Sequence, residues 1–296
     1  MTRLMAKSCT LLLLGCLLEF ASQVTLAQNG PQKIGQDLYA CISTNDASAN
    51  STFLVGKAAI LLVDSGLNTT EAEKCLTQIQ SISKLPIRYV VNTHYHLDHQ
   101  GGNKLYAPTA DIISTVWTRQ RTIEMLKSVP PHFPSSVVPA TITFDHSVTI
   151  HLEPYAAEVI SAGPAHTLGD AYVYFPEQKA IATGDLFLNN SCPAMDQGSV
   201  KNWIVTLNSF LDRPVEKFVP GHFAVGSRID VEFFRDYLSD LTAQVSALLA
   251  AGDSIDQVKK EVKAGRFSQL HQYPKYDATI QDNAASIYDQ LRHPSQ

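Results

Sequence analysis

The segment Thr93-His94-Tyr95-His96-Leu97-Asp98-His99 places three imidazoles and a carboxylate within six residues. Nitrogen and oxygen donors at that density suit zinc and similar divalent metals. The apolar run Ile87 to Val91 just before it reads as a buried strand. On an extended strand end, side chains two apart share a face, so His94 and His96 point the same way. Asp98 and His99 lie beyond, where the chain turns toward Gly101-Gly102, and face a second metal. Those glycines are expected to allow the turn without steric cost.

Two metals need more ligands, and three isolated residues in loops directly after strands offer them. His166 stands in Gly163-Pro164-Ala165-His166-Thr167-Leu168-Gly169-Asp170, Asp185 in Thr183-Gly184-Asp185, and His222 in Pro220-Gly221-His222. Each follows an apolar segment and is flanked by glycine, which puts it on a turn at a sheet edge. A lone loop histidine or aspartate is more often solvated than ligating; the set gains weight from the first motif.

The elements that must position these residues follow from hydrophobic period and capping signals. Thr52 to Val55 and Ala58 to Val63 read as a largely buried hairpin. Asn68 with Glu71 is a capping signal, and Ala72, Cys75, Leu76, Ile79 and Ile82 recur at helical spacing. Ile112 to Ser114 reads as a strand, Thr118 to Lys127 as a helix, and Pro130, Pro131, Pro134 and Pro139 as an irregular surface loop. From Ile142 to Thr183 the alternation predicts antiparallel strands. Gly198 to Leu211 reads as a helix, Phe218-Val219 as a brief strand, and Asp230 to Ala250 and Ser254 to Val262 as helices. Interleaved strands and helices favour sheets covered by helices on the outside.

The ordered set His94, His96, Asp98, His99, His166, Asp185 and His222 resembles that of the metallo-β-lactamase superfamily, over about Phe53 to His222. The resemblance implies an α/β fold, a four-layer αββα sandwich with a dinuclear metal site at one edge. A helical C-terminal extension follows. It further implies that His94, His96 and His166 hold the first metal, that Asp98, His99 and His222 hold the second, and that Asp185 bridges them. Two Zn2+ are the expected cofactors, with Fe or Mn also accepted by a set that lacks a thiolate. Such a pair lowers the pKa of a bridging water from near 16 toward about 7, and the resulting hydroxide attacks a carbonyl, with Asp98 shuttling the proton. Hydrolysis of a β-lactam, lactone, ester or thioester is the expected reaction. The alternative is a mononuclear iron member such as a persulfide dioxygenase, which shares the first motif.

Two departures bear on substrate. Secreted β-lactamases of the best-known subclass carry cysteine at the position of Asp185 and a lysine soon after, whereas Leu186 to Asn190 offer no cation here. The all-nitrogen-and-carboxylate set is similar instead to glyoxalase II, acyl-homoserine lactonases and the exported hydrolases of the superfamily.

With 28 acidic against 23 basic residues the formal charge is −5, so no broad positive field exists to hold nucleic acid. A small-molecule substrate is the expected partner, and oligomeric state is left open. No apolar run reaches the roughly 18 residues of a spanning helix. Arg3, Lys7, the leucine-rich run Leu11 to Leu18 and Thr25-Leu26-Ala27 read as a signal peptide over residues 1–27, cleaved after Ala27. A lipid attachment at Cys16 is the lesser alternative. The catalytic domain then spans 28–228, with a helical segment over 229–296 packed on it, and the protein is expected to be periplasmic or secreted. Cys41, Cys75 and Cys192 remain after cleavage, as one bridge plus a free thiol or as three buried thiols. His132, His146, His151, His271 and His293 have no ligand-like context and are expected to be exposed. Trp117, Phe187, Met195 and Trp203 read as packing residues, with a place on the cleft wall as the alternative. The polar stretch Ser43 to Ser51 reads as a flexible loop, and the resemblance implies that a loop between the early strands can cover substrate.

Overall fold

The computed structural model describes residues 30–128, 137–195, 197–272 and 279–293. The expected signal peptide and His132 lie outside the described residues, as does most of the proline-rich loop. Two sheets form the centre. The first runs in spatial order through β1 (Gln32–Gly35), β2 (Leu38–Cys41), β3 (Ser51–Val55), β4 (Ile60–Val63), β5 (Ile87–Val91), β6 (Asp111–Thr115) and β7 (Ile142–Phe144). Its last four strands are mutually parallel. The second runs β12 (Lys217–Pro220), β11 (Ala180–Gly184), β10 (Asp170–Phe175), β9 (Ala156–Gly163) and β8 (Ser147–His151). Here β11 and β12 are parallel and the other pairs antiparallel.

The inner strands β4, β10 and β11 are buried on both faces, and the strand period of two sorts side chains between layers. Leu61, Val63 and Val91 of the first sheet meet Val159, Val173 and Phe175 of the second in the central core. Their neighbours Ile60, Leu62 and Val90 turn outward against Ala72, Cys75 and Ile79 of α1 (Thr69–Ile82). On the other side Tyr172, Tyr174 and Ile181 pack against α5 (Val200–Leu211), α6 (Arg228–Ala250) and α8 (Ile280–Arg292). The result is the helix–sheet–sheet–helix layering that the element order implied. The other helices are α2 (Leu97–Gln100), α3 (Asn103–Tyr106), α4 (Val116–Ser128) and α7 (Ile255–Glu261), with a 3-10 turn over Gly265–His271. Among the described residues no helix is long and apolar enough to cross a membrane.

The caps agree with the sequence. Asn68 accepts from the Glu71 N–H at the start of α1, and Ser199 from that of Asn202 at the start of α5. Three expectations need correction. Ile142 to Phe144 does not join the antiparallel set but pairs in parallel with β6, because its two exposed residues and its shortness suit a sheet edge. The hairpin of β1 and β2 was not read from the sequence; its burial pattern does not alternate cleanly. Nor was α8, although Thr279 and Asp282 form a capping box at its start.

The cysteines resolve into a Cys41–Cys75 disulfide and a buried free Cys192. Cys192 lies beneath α6 and α8, where Asn283 Nδ2 donates to its sulfur at 3.0 Å. Burial pushes its thiol up to about 11.

Candidate metal centre

Parallel strands deliver their C-terminal ends to a common edge. The loops after β5, β9, β11 and β12 meet at that edge with His94 to His99, His166, Asp185 and His222. Two groups result: His94, His96, His166 and Asp185 in one, and Asp98, His99 and His222 in the other, each with one donor atom per residue within 4.8 Å of the rest. Every residue singled out as a ligand is therefore brought together.

In the first group His96 Nδ1 lies 3.0 Å from His94 Nε2 and 3.3 Å from His166 Nε2. Asp185 Oδ2 stands 3.7 Å from His166 Nε2. In the second, Asp98 Oδ2 is 2.9 Å from His222 Nε2 and 3.6 Å from His99 Nε2. The other oxygen of Asp185, Oδ1, faces this second group, 3.3 Å from His99 Nε2 and 3.6 Å from His222 Nε2. One carboxylate thus turns an oxygen to each cluster. Buried ring nitrogens converging on one point repel through their lone pairs, and a divalent cation resolves that conflict. The donor set fits a metal.

A buried carboxylate that the sequence reading did not single out fixes the rings. Asp64, at the end of β4, has φ +58° and its Oδ2 accepts from His99 Nδ1 at 2.8 Å. Because an ionised carboxylate only accepts, the His99 proton sits on Nδ1 and Nε2 is left for a metal. The Thr93 hydroxyl donates to the same Oδ2 at 2.8 Å and so accepts from His94 Nδ1 at 3.1 Å, which frees His94 Nε2 in the same way. Asp170 plays a comparable part for the His166 loop. It accepts from Thr167 N–H at 2.7 Å and Ala165 N–H at 3.2 Å, and burial pushes its carboxyl up to about 7. Only part of the signal that marks Asp185 was present: Asp64 follows a buried strand but stands two residues before Gly66, and Asp170 directly follows Gly169 but opens its strand.

Burial, with the neighbouring His99 and His96 imidazoles, holds His94 well below the ordinary histidine range. His99 is the opposite case. Burial opposes its charge, but Asp185, Asp64 and Asp98 outweigh that and hold it well above.

Close approach explains the glycines better than turn conformation does. Gly101 and Gly102 have ordinary helical φ of −64° and −89°, and a Cβ on either would run into the backbone carbonyls of Leu67 or Ser65. Gly221 is closed in by the site itself: a Cβ there would collide with Asp185 Oδ1 and stand 2.6 Å from His99 Cε1.

Around the centre, Phe187, Met195 and Trp203 are core residues, and the Trp203 Nε1–H donates to Leu186 O at 2.7 Å. Trp117 packs edge-on against Tyr95, whose hydroxyl donates to Gln197. Lys201 is exposed, as are His146, His151 and His293, whereas His271 is half-buried. The stretch Ser43 to Ser51 is not a loose cover: Ser48, Ala49, Asn50 and Ser51 are buried, and Ala49 N–H donates to Asp98 O at 3.1 Å. Asn50 and Ser48 form hydrogen bonds to backbone, and Asn45 donates to the Glu71 carboxylate.

A family model described as the metallo-beta-lactamase superfamily matches residues 44–222. The alpha subunit of a 2,4-dinitroanisole O-demethylase from Nocardioides sp. (strain JS1661) is 28% identical over 206 residues, 68% of this chain and 60% of that one. A hydroxyacylglutathione hydrolase from Pelagibacter ubique (strain HTCC1062) is 25% identical over 135 residues, 45% of this chain and 49% of that one. This chain therefore spans from about half to 60% of the length of those relatives. Among solved structures, a metallo-beta-lactamase from Pontibacter korlensis superposes with a TM-score of 0.61 at 21% identity, covering 71% of this chain and 98% of that one.

Proposed function

Because the chain belongs to the metallo-β-lactamase superfamily, we propose that it is a metal-dependent hydrolase holding two divalent cations, zinc before iron or manganese. Its substrate is a small carbonyl compound: a β-lactam, lactone, ester or thioester. The observation that carries this reading is Asp185, which offers Oδ2 to one buried cluster and Oδ1 to the other.

Bound there, divalent cations supply a nucleophilic water near neutral pH and polarise the substrate carbonyl. The protein's own contribution is to hold donors and protons at stated atoms. His94 Nε2, His96 Nδ1 and His166 Nε2 would hold the first cation, and Asp98 Oδ2, His99 Nε2 and His222 Nε2 the second. Asp98 is the most open carboxylate of the set, with 10% of its side chain exposed against 1% for Asp185. That opening suits it to take the proton of the attacking water and pass it to the leaving group. Among the described residues no thiolate lies at the centre, since Cys41 and Cys75 are paired and Cys192 is sealed in the helical core. The Cys41–Cys75 disulfide supports action in an oxidising compartment, which agrees with export.

The relatives named above act, by their names, on an aryl methyl ether and a hydroxyacyl thioester. The centre is thus suited to several electrophiles, and the substrate is tested by a panel. Metal content of protein purified without added metal is measured beside hydrolysis of a chromogenic cephalosporin, a homoserine lactone and a simple thioester. Close to two metals per chain with turnover of one class is the expected outcome. One iron per chain with no hydrolysis would turn the assignment to the persulfide-oxygenating alternative. Asp98→Ala should abolish turnover while one metal stays bound, and full activity in that variant would sink the two-cation mechanism.

A further inference from the structure

His222 sits in a loop with a strained backbone. The next residue, Phe223, has φ +70°, a region that side chains larger than glycine seldom occupy and that persists only when its surroundings enforce it. Asn50 supplies that enforcement from a point 170 residues earlier in the chain. Its Nδ2 donates to Pro220 O at 3.0 Å and to Phe223 O at 2.8 Å, and its backbone N–H donates to Gly221 O at 2.6 Å. The carbonyls on both sides of His222 are received by one residue. Asn50 Oδ1 accepts from Ser43 N–H at 2.8 Å, so the buried side chain is locked in turn.

The same strap holds a second ligand, since the residue before Asn50 donates to the carbonyl of Asp98. Beneath the strap lies a cavity of about 590 Å³ lined by Cys41, Ser43, Ser48, Glu71 and Cys75 among others. Beside that cavity the strap is tied down by hydrogen bonds from Ser43 N–H and Leu67 N–H and by the disulfide at its start.

We propose that Asn50 is the positioning residue of the second cluster, fixing the Pro220-to-Phe223 backbone so that the His222 imidazole stays opposite Asp98. The inference rests on the two-cation reading above. Without the two Nδ2 donors, Phe223 is free to leave its strained conformation, and His222 turns with it. The first cluster draws no ligand from that loop.

The test compares wild type with Asn50→Asp, which is isosteric and still accepts from Ser43 but has no N–H for the two carbonyls. Asn50→Ser, with one short donor, is the milder variant and carries the comparison alone if Asn50→Asp does not fold. Zinc competition titrations against a chromophoric chelator resolve the two affinity classes. One class is expected to weaken by about 10- to 100-fold in Asn50→Asp and by less in Asn50→Ser, as for lost outer-shell partners of metal ligands; the other stays within about twofold. Equal weakening of both classes, or of neither, overturns the proposal. A single class in wild type would instead remove the two-cation reading, and ring ¹⁵N resonances of chelated protein then decide. The His222 signals are expected to shift in the variants while those of His166 stay; unmoved His222 signals overturn the role of Asn50.

Discussion

Asp64 Oδ2 accepts the Nδ1 proton of His99 at 2.8 Å, with both side chains sealed from solvent. Through the Thr93 hydroxyl the same oxygen also sets the tautomer of His94, so one carboxylate orients ligands of both clusters. Replacing Asp64 by Asn keeps the shape but removes the charge and places an N–H against one of these donors. Metal affinity should fall by about 10- to 100-fold with the fold retained. Zinc competition titration with circular dichroism checks this, and undiminished affinity would count against the tautomer argument.

Gly221→Ala tests packing at the centre rather than chain flexibility. The added methyl meets Asp185 Oδ1 and His99 Cε1, both on buried groups that have nowhere to move. Loss of the bridging arrangement, read as metal stoichiometry well below that of wild type, is the expected result. Gly30→Ala is the control, because nothing lies within 4 Å of its Cβ position.

Removing the cations exposes an opposition between two histidines. His99, raised by its three carboxylates, keeps its proton in the folded chain at pH values where the unfolded chain has lost it. Its contribution to stability is complete below about pH 6.5 and disappears as pH rises through its folded-state value. His94, lowered by burial and neighbouring imidazoles, refuses a proton that the unfolded chain accepts, so its cost grows as pH falls below about 6.5. Chelated protein should therefore melt highest near that pH. In zinc-loaded protein the ligands must be deprotonated, and the stabilisation by metal should grow as pH rises. Thermal melts from pH 5 to 9, with and without chelator, read both trends; a chelated protein whose melting temperature climbs steadily to pH 9 would contradict the His99 assignment.

The three cysteines of the folded region should separate by chemistry. Cys192 is buried with its thiol pushed up to about 11, so little nucleophilic thiolate exists at pH 8. Iodoacetamide followed by peptide mapping should leave it unlabelled in native protein and label it once denaturant is added. Cys41 and Cys75 should react only after reduction. Rapid labelling of native Cys192 would mean that the α6–α8 layer opens readily.

Much of the centre was legible in the chain because its ligands are local in kind if not in place. His94, His96, Asp98 and His99 lie within one six-residue run, Asp185 and His222 each directly follow a glycine after an apolar strand, and His166 stands three residues past Gly163. The layers were legible for a related reason: strand and helix periods set which side chains can share a face, and α1 and α5 carry their own caps. The parallel pairing of β7 depends on a strand some distance away in sequence, whereas α8 carried a local capping box that went unread.

The amino-acid sequence by itself determined which donors exist, their order and the strands that bear them, because those are properties of short segments. Tertiary structure alone decided how they meet. That Asp185 divides its oxygens between two clusters, that Asp64 sets two tautomers and that Asn50 braces the loop of His222 all join segments from 19 to 173 residues apart. Ser43 to Ser51 shows the reason most plainly. Its polar composition suits a solvated loop equally well, and only the backbone carbonyls brought against it by the second sheet turn those side chains into a brace.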